Sequence, residues 1–359
     1  MIRKAPNIKQ VNTSRVLDVL WRCQNISRID IADRLGLDKS TITKIVSSLA
    51  EKQLITEVSN RNGTPQSGRP KVSLQLNKQL GVLVGIELTD SQINLSVLDL
   101  ACQILYRKIV SYHPGTQPLE QLGDVLAPVL REVENRWGKV LAIGLGMPGL
   151  VRPDTGVVSV SSAFEISEPV ALAAQLSAQL GYPVYCDNDA NCAAWGQVML
   201  SRPQGSDNLL YVLFTSHHRH DDSRHLGIGL GFVLNGQLFY GDDCLSGQFD
   251  VEPGPHQSPV SEADILAQFV DKLATLGRLL NVHQIVFGGE VESYVRDIER
   301  LIHANLAAFQ GHQTWQPVTE ISTLGTQAVS AGAAALAWSK ITSADLVLFD
   351  VLDDQPISQ

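Results

Sequence analysis

The fold of the N-terminal region is decided by residues 27–49, which read SRIDIADRLGLDKSTITKIVSSL. Ser27 followed by Asp30 forms a capping box, which predicts a helix over 28–35 that the next glycine ends. Asp38 can cap a further helix, in which apolar residues at helical spacing predict one buried face: Ile42, Ile45, Val46 and Leu49. Two short helices joined by a tight glycine turn indicate a helix-turn-helix, whose second helix enters the major groove of DNA.

The residues on either side of these helices predict a winged form of the motif. Apolar residues at helical spacing indicate a preceding helix: Val16, Leu17 and Leu20. Predicted strands at 54–58 and 72–76 flank a polar loop, and together they indicate a β-hairpin wing. The loop ends in Gly68-Arg69-Pro70, which places a guanidinium on stiff, extended backbone suited to a narrow A·T minor groove. Residues 1–78 are therefore predicted to be a winged helix-turn-helix DNA-binding domain.

The side chains expected to contact DNA lie mainly opposite the apolar stripe of the second helix. Small hydroxyls suit close approach to bases, and lysines suit phosphates. Arginines at the start of the first helix and in the wing add further cations. The predicted DNA-binding residues are Arg28, Lys39, Ser40, Thr41, Thr43, Lys44, Arg61 and Arg69.

The charge is distributed unevenly along the 359 residues, of which 44% are hydrophobic. The net charge is −9, yet residues 1–77 hold 13 Lys and Arg against 6 Asp and Glu. A basic segment joined to an acidic remainder is expected when only one end meets nucleic acid. Chance clustering of solvated charges is the alternative.

A strand pattern occurs twice in residues 79–359. Three successive strands are predicted first, with a helix after them: 83–88, 93–98, 104–110 and the helix 119–137. A second triplet precedes further helices and a buried strand: 208–215, 227–234, 237–240 and 284–287. This repetition indicates an α/β fold with two similar halves around a cleft, which is where ligands of such folds lie.

Two loops at strand ends are candidate ligand sites. A strand over 141–145 leads into Gly146-Met147-Pro148-Gly149, and a strand over 182–185 leads into Asp187-Asn188-Asp189-Ala190-Asn191. Neighbouring carboxylate and amide groups can bind several hydroxyls of a polyol, because Asp accepts hydrogen bonds and Asn both donates and accepts them. The alternative is that 187–191 only cap the next helix.

In these residues the chain resembles the ROK family, named for repressors, open reading frames and kinases, and in particular its NagC/Mlc-like repressor branch. The similarity covers nearly the whole chain and rests on Ser27-Arg28, Ser40-Thr41-Ile42-Thr43-Lys44-Ile45-Val46, Gly68-Arg69-Pro70, Gly146-Met147-Pro148-Gly149, Asn188-Asp189, Gly227-Ile228-Gly229 and Phe287-Gly288-Gly289. The family implies an actin-like, hexokinase-like (RNase H-like) fold of two lobes. The expected lobes are 79–195, to which a C-terminal helix at 326–341 returns, and a shortened 196–325.

The resemblance also implies where the ligand lies. In the family's kinases the residue that matches Asp189 is the general base that activates a sugar hydroxyl. Here Asp189 is interpreted as a vestigial base and, with its neighbours, as a ligand anchor. The predicted ligand-binding residues are Gly149, Asn188, Asp189 and Gln248.

Two departures from the family pattern bear on activity. Family kinases carry a glycine-rich turn after the first strand, where backbone N–H groups approach nucleotide phosphates. Here the turn reads Glu87-Leu88-Thr89-Asp90-Ser91, whose side chains and carboxylate would obstruct a triphosphate. The family's zinc-binding cysteines are also missing, since Ser246-Gly247-Gln248-Phe249 precedes a short connection with no cysteine after Cys244. We therefore expect neither kinase activity, nor a structural zinc, nor a cofactor.

A histidine-rich segment over 217–225 has two interpretations. His and Asp at this density can bind a divalent metal. A solvated hairpin loop is favoured, because the intervening arginines repel cations and no regular ligand spacing occurs. No metal site is predicted.

The sequence predicts a cytoplasmic, homodimeric or higher homo-oligomeric repressor of carbohydrate uptake or catabolism genes. A sugar or sugar phosphate in the cleft would shift the lobes and weaken binding to a palindromic, A·T-rich operator. No membrane partner is expected, because no apolar run reaches the length of a membrane helix. Three alternatives remain open: control by a protein partner, a constitutive DNA-binding protein with a vestigial sensor, and a residual sugar kinase.

Overall fold

A computed structural model describes residues 7–59, 72–111, 118–200, 207–218, 224–249, 261–308, 315–343 and 347–353. The predicted DNA contacts of Arg61 and Arg69 lie outside these residues. So does the tip of the histidine-rich segment, 219–223. No helix in the described ranges combines the length and apolarity needed to span a bilayer.

The N-terminal region is a three-helix unit with a small antiparallel sheet, which we call the head. Its helices are α1 (Ile8–Cys23), α2 (Arg28–Leu35) and α3 (Lys39–Glu51), and its strands are β1 (Ile26–Ser27), β2 (Ile55–Ser59) and β3 (Val72–Leu76), in the order β1-β3-β2. The predicted apolar stripes of α1 and α3 are buried in one core. This arrangement confirms the predicted winged helix-turn-helix.

The helix ends follow local chemistry with one exception. The Ser27 hydroxyl accepts a hydrogen bond from the backbone N–H of Asp30 (3.2 Å) and donates one to its carboxylate (2.7 Å). Gly36 ends α2 in the left-handed conformation, with φ of 62°. Asp38 occupies the N-cap position of α3, but its side chain makes no capping hydrogen bond. Its backbone carbonyl instead accepts from the N–H groups of Thr41 and Ile42, at 2.9 and 3.1 Å.

The first sheet of the body has five strands in the order β10-β7-β4-β5-β6. Strands β4, β5 and β6 form an antiparallel meander, whereas β7 and β10 run parallel to β4. The elements are β4 (Val82–Leu88), β5 (Gln92–Asp99), β6 (Ile104–Ser111), α4 (Pro118–Trp137), β7 (Val140–Met147), a separate hairpin of β8 (Leu150–Arg152) and β9 (Val157–Val160), α5 (Leu172–Leu180) and β10 (Val184–Asn188). Strands β4 and β7 are buried along their whole length, as continuous apolar runs predict.

The second sheet repeats this topology. Its order is β13-β12-β11-β14-β15, again an antiparallel meander joined to two parallel strands. The elements are β11 (Leu209–His218), β12 (Arg224–Leu234), β13 (Gln237–Leu238), α7 (Glu262–Leu280), β14 (Gln284–Gly289), α8 (Val295–Ala308) and β15 (Val318–Ile321). The predicted two similar α/β halves are therefore confirmed. The strand predicted over 237–240 stops at Leu238, because Tyr240 turns toward the first sheet, as described below.

Two helices lie between the sheets and cross each other. They are α6 (Asp189–Leu200) and α9 (Ala328–Ile341), the helix predicted to return to the first lobe; a short helix α10 (Val347–Asp353) follows. Helix α9 packs on β4 and β7, and α6 packs on β11 and β12. The crossing is so close that a Cβ atom on Gly332 would lie 1.8 Å from the backbone oxygen of Cys192. Only glycine fits there.

Candidate ligand-binding cleft and DNA-binding head

Helix α3 presents a polar face to solvent, as its sequence predicts. Lys39, Ser40, Thr43 and Lys44 are exposed and Thr41 is half-buried, whereas the opposite apolar stripe is buried. The Thr43 hydroxyl donates a hydrogen bond to the Lys39 carbonyl (2.8 Å), within the helix. Five of the eight predicted DNA-binding residues therefore lie together on or beside one exposed helical face.

Arg28 lies in a different setting, at the start of α2. Its guanidinium forms an ion pair with the carboxylate of Glu57 on β2, at 2.7 Å. Both side chains are largely exposed, and exposed pairs contribute at most about 1 kcal/mol. A phosphate can therefore compete for this guanidinium at small cost.

The candidate ligand site lies where β10 ends and α6 begins, and its centre is the buried carboxylate of Asp187. This carboxylate accepts hydrogen bonds from the Tyr240 hydroxyl (2.7 Å), the Asn191 amide (3.1 Å) and the backbone N–H of Asn188 (2.7 Å). Burial raises the pKa of Asp187, and these hydrogen bonds oppose the shift. Tyr240 follows the second sheet, so its hydrogen bond joins the two halves of the body.

Asn188 ties the start of α6 to the loop after β7. Its amide nitrogen donates to the carbonyl of Gly149 (3.0 Å), and its amide oxygen accepts from the N–H groups of Ala190 (2.9 Å) and Asn191 (3.3 Å). The capping interpretation thus holds for its oxygen. Gly149 has φ of +126°, and a Cβ there would lie 2.4 Å from the Val160 carbonyl. Two of the predicted ligand residues are therefore in direct contact.

Asp189 is the first residue of α6 and is 9% exposed. One of its carboxylate oxygens accepts from the N–H of Ala190, at 2.8 Å. The same oxygen lies 3.9 Å from the position that a Cβ on Gly229 of β12 would occupy. The carboxylate is therefore placed at the boundary between the sheets, beside the glycine-rich start of β12.

Glu87 is the last residue but one of β4, on the same edge of the first sheet. The pKa of Glu87 is raised to about 7, mainly because the carboxyl group is buried. A hydrogen bond from the Asn94 amide (2.8 Å) opposes this shift, and the negative charges of Asp189 and Glu290 add to it. Glu290 follows Gly288-Gly289 at the end of β14. Carboxylates from both halves of the body therefore lie close enough to one another at this junction for their charges to interact.

The turn between β4 and β5 closes on itself. The Thr89 hydroxyl accepts from the backbone N–H groups of Gln92 (3.1 Å) and Ser91 (3.4 Å) and donates to the Gln92 carbonyl (3.1 Å). The N–H groups that a phosphate-binding turn would offer are engaged within the turn. This hydrogen bonding adds to the obstruction that the sequence predicts.

Gln248 is the fourth predicted ligand-binding residue, and its role stays a prediction. It is exposed on the loop after β13, and no hydrogen bond in the described part of the chain joins its side chain to Asn188 or Asp189. Sequence reasoning missed Tyr240, which it placed in a strand, and the role of Asp187 as an acceptor of three hydrogen bonds. A tyrosine just after a strand carries no local signal of a partner 53 residues away.

The described ranges contain no cluster of three or more metal-ligating side chains. The expected absence of a structural zinc stays a prediction, which elemental analysis of the purified protein can test.

Comparison with known proteins agrees with this architecture. The ROK family model matches residues 83–249, and the MarR family model matches residues 11–62. The chain is 27% identical over 244 residues to the xylose repressor of Bacillus subtilis, covering 67% of this chain and 60% of the relative. It is 24% identical over 280 residues to the DNA-binding transcriptional dual regulator NagC of Escherichia coli, and the match covers 77% of this chain and 66% of that relative. The xylose repressors that it resembles are thus matched over about 60% of their length.

Solved structures show the same fold. A ROK family transcriptional regulator, a homologue of the E. coli MLC protein, superposes with a TM-score of 0.72 at 21% identity over 96% of this chain and 99% of that one. A ROK hexokinase from Thermus thermophilus superposes with a TM-score of 0.55 at 22% identity, over 72% of this chain and 99% of the hexokinase chain. The hexokinase match confirms the predicted hexokinase-like fold of the body. The chain therefore carries a ROK family domain behind an N-terminal MarR-type winged helix-turn-helix.

Proposed function

We propose that this protein is a sugar-responsive transcriptional repressor of carbohydrate uptake or catabolism genes, acting on operator DNA in the cytoplasm. The head binds the operator, and the cleft binds a sugar or sugar phosphate that weakens operator binding. The observation that carries the proposal is the combination in one chain of an exposed recognition-helix face with a cluster of polar side chains where the two halves of the body meet.

DNA binding is supported by the head. The polar face of α3 is exposed while its apolar face is buried, and residues 1–77 are basic in an otherwise acidic chain. The relatives named as xylose repressors and as NagC are regulators by their names. A palindromic operator and a homodimer follow if two heads bind two half-sites.

Sugar binding is supported by the chemistry at the start of α6. Asp189 presents a carboxylate at the boundary of the two sheets, and such a group accepts hydrogen bonds from sugar hydroxyls. The names of relatives point to pentoses and to N-acetylglucosamine as ligands to try first. The closed turn at Thr89 favours a sensor over a sugar kinase, because it offers little to a triphosphate.

The experiment is an operator titration with and without D-xylose, N-acetylglucosamine and N-acetylglucosamine 6-phosphate, with an operator selected from random-sequence DNA. We expect one sugar to release the wild-type protein. Asp189→Ala should need roughly ten- to a hundred-fold more of it, because a charge-assisted hydrogen bond to a hydroxyl contributes about 1.5–3 kcal/mol. Operator affinity without sugar should hardly change. Asp297→Ala, on the exposed surface of α8, is the matched control.

The outcomes separate the alternatives. If Asp189→Ala and Asn188→Ala both release DNA at the wild-type sugar concentration, the ligand site lies elsewhere. If no sugar releases the wild type, control by a protein partner becomes the better proposal, and transfer of phosphate from ATP to the sugar would reveal a kinase.

The contribution of the head is tested separately. Lys44→Ala should weaken binding to all DNA sequences alike and reduce the salt dependence of log K by about one unit, as loss of one phosphate contact does. Arg69→Ala should instead weaken binding selectively at A·T-rich sites.

A further inference from the structure

The head and the body meet where α1 ends, and two adjacent residues of α1 contact two different helices there. The Trp21 ring stacks on the Trp338 ring of α9, with centroids 4.6 Å apart and an interplanar angle of 19°. The Arg22 guanidinium donates to the sulfur of Met199 (3.1 Å) and lies 5.7 Å from the centre of the Trp195 ring, and both of these residues belong to α6. The end of α1 therefore contacts both crossing helices at once.

Helix α9 packs on the first sheet, whereas α6 begins at the end of β10 in that sheet and packs along its length on the second sheet. On α9, the hydroxyl of Ser330 forms a hydrogen bond with that of Ser96 on β5 (2.8 Å). On α6, the side chain of Gln197 accepts from Ser322, which follows β15 (3.0 Å). Because α6 contacts both sheets and α9 packs mainly on the first, a change in the angle between the sheets acts on the crossing of α6 and α9.

The candidate ligand site lies at the opposite end of α6 from the head. Asp189 begins the helix, whereas Trp195 and Met199 lie in its second half. Twelve helical residues span about 18 Å and act as a stiff rod. Displacement of α6 at the ligand end is thus delivered to Arg22.

Among the described residues, the stack at α9 has no hydrogen bond through the rings that fixes them in one register. In the described part of the chain, the indole nitrogens of Trp21 and Trp338 are buried without a hydrogen-bond partner. Stacked rings held by dispersion alone have no directional bond that fixes one register. The contact with α9 can therefore act as a pivot while the contact with α6 moves.

We infer that the crossing of α6 and α9 transmits occupancy of the cleft to the head, and that Trp21 and Arg22 are the residues of the head that respond to it. This inference rests on the proposed function and assigns the route of its regulation. Two further contacts between head and body among the described residues lie away from α6: Lys52 lies over the Phe349 ring of α10 (4.5 Å), and the Gln24 amide donates to the Leu100 carbonyl (3.2 Å).

The test compares two variants that each remove one cation–π contact between head and body. Arg22→Gln removes the contact with α6, and Lys52→Met, the matched control, removes the contact with α10. Trp195→Leu removes the α6 side of the same contact, together with the hydrogen bond that the Trp195 indole donates to Ser339 of α9 (3.0 Å). The quantity measured is the ratio of operator Kd with and without a saturating releasing sugar. Measurements are made at pH 8, because Arg22 faces Asp18, whose pKa burial raises to about 6.

We expect a ratio for the wild type in the range of about 5 to 150, as is usual for allosteric coupling. Arg22→Gln and Trp195→Leu should each reduce a ratio of about 10 or more to below about 3, and the double variant should reduce it no further, since both act on one contact. Lys52→Met should keep the wild-type ratio. A full ratio in Arg22→Gln would overturn the inference.

A second measurement does not depend on finding the sugar. Coupling between two sites is reciprocal, so operator binding should change the amide hydrogen exchange of residues 189–193 in the wild type but not in Arg22→Gln. If no sugar releases the wild type yet this change is seen, the proposed ligand is wrong and the route stands. If operator binding leaves the exchange unchanged in the wild type, the route is wrong.

Discussion

The two sheets share one strand order, yet their edges at the cleft differ in chemistry. The first sheet ends in polar side chains, with Glu87 on β4 and Asp187-Asn188 on β10. The second sheet presents glycines, at positions 227 and 229 on β12 and at 288 and 289 on β14. One edge can form hydrogen bonds through its side chains, whereas the other allows close approach of backbone.

The glycines of the second sheet are explained largely by packing. A Cβ on Gly288 would lie 1.9 Å from the Tyr211 hydroxyl, and one on Gly289 would lie 2.1 Å from the Phe214 carbonyl. Glycine in a family motif therefore does not by itself indicate a phosphate site. The comparison teaches that ligand recognition should depend on the first edge and tight packing on the second.

The largest change in the free energy of unfolding is expected when the buried hydrogen-bond acceptor at the edge of the first sheet is removed. Asp187→Ala leaves the Tyr240 hydroxyl, the Asn191 amide and the Asn188 N–H without their acceptor, at about 1–3 kcal/mol for each buried group. We expect the free energy of unfolding to fall by about 3–5 kcal/mol in urea titrations. Tyr240→Phe should cost only about 1 kcal/mol, because the carboxylate keeps its other donors. Equal losses in the two variants would contradict this account.

The second prediction concerns pH. The pKa of Glu87 is about 7 in the folded protein against 4.5 for the free side chain. Because the folded state binds this proton more tightly, Glu87 stabilises the protein at low pH, and this stability is lost as pH rises through 7. The loss approaches about 3 kcal/mol between pH 4.5 and 8, from 1.36 kcal/mol per pKa unit.

Glu87→Gln isolates this effect, because Asp18 also has a raised pKa and titrates in the same direction. The difference in unfolding free energy between wild type and Glu87→Gln should move in favour of the variant from pH 5 to pH 8. Parallel pH profiles would show that Glu87 titrates normally.

The third prediction tests the second edge. A Cβ on Gly231 of β12 would lie 2.5 Å from the carbonyl of Ala190 and 2.6 Å from the Cβ of Ala194, both on α6. Gly231→Ala should therefore cost about 1–3 kcal/mol of unfolding free energy through overpacking. At Gly229 the nearest atom would be the Ala190 Cβ at 3.0 Å, so Gly229→Ala should cost less. The reverse order in thermal unfolding would refute the close packing of α6 on β12.

The smallest effect is expected at the turn of the first edge. Thr89→Val removes the hydroxyl that accepts hydrogen bonds from the N–H groups of Ser91 and Gln92. We expect the free energy of unfolding to fall by about 1 kcal/mol. Ser91→Ala, an exposed change in the same turn, should stay within about 0.5 kcal/mol. If the two variants unfold alike, the turn is not held by Thr89.

The features of this protein that its sequence predicts depend on interactions between residues that are close together in the chain. Ser27 caps α2, Gly36 ends it, and the spacing of Ile42, Ile45 and Val46 orients α3, all through interactions within one or two turns. The two strand triplets and the polar loop at 187–191 likewise follow from neighbouring residues. The sequence by itself therefore determined the helix-turn-helix, the repeated α/β halves and the position of the polar residues at the strand ends.

Only the tertiary structure decided how these parts meet. The hydrogen bond from Tyr240 to Asp187, the pKa of Glu87 and the stack of Trp21 on Trp338 all join residues that are distant in the chain. None of them leaves a periodic or capping signal, because each depends on the packing of the sheets, of α6 on α9, or of the head on the body. Sequence pattern likewise does not give the partner of Arg28, because Glu57 lies on β2, which is distant in the chain. Nor does it show that the backbone carbonyl of Asp38, and not its side chain, accepts the hydrogen bonds at the start of α3. Sequence pattern places a residue on an element, and packing selects its partner.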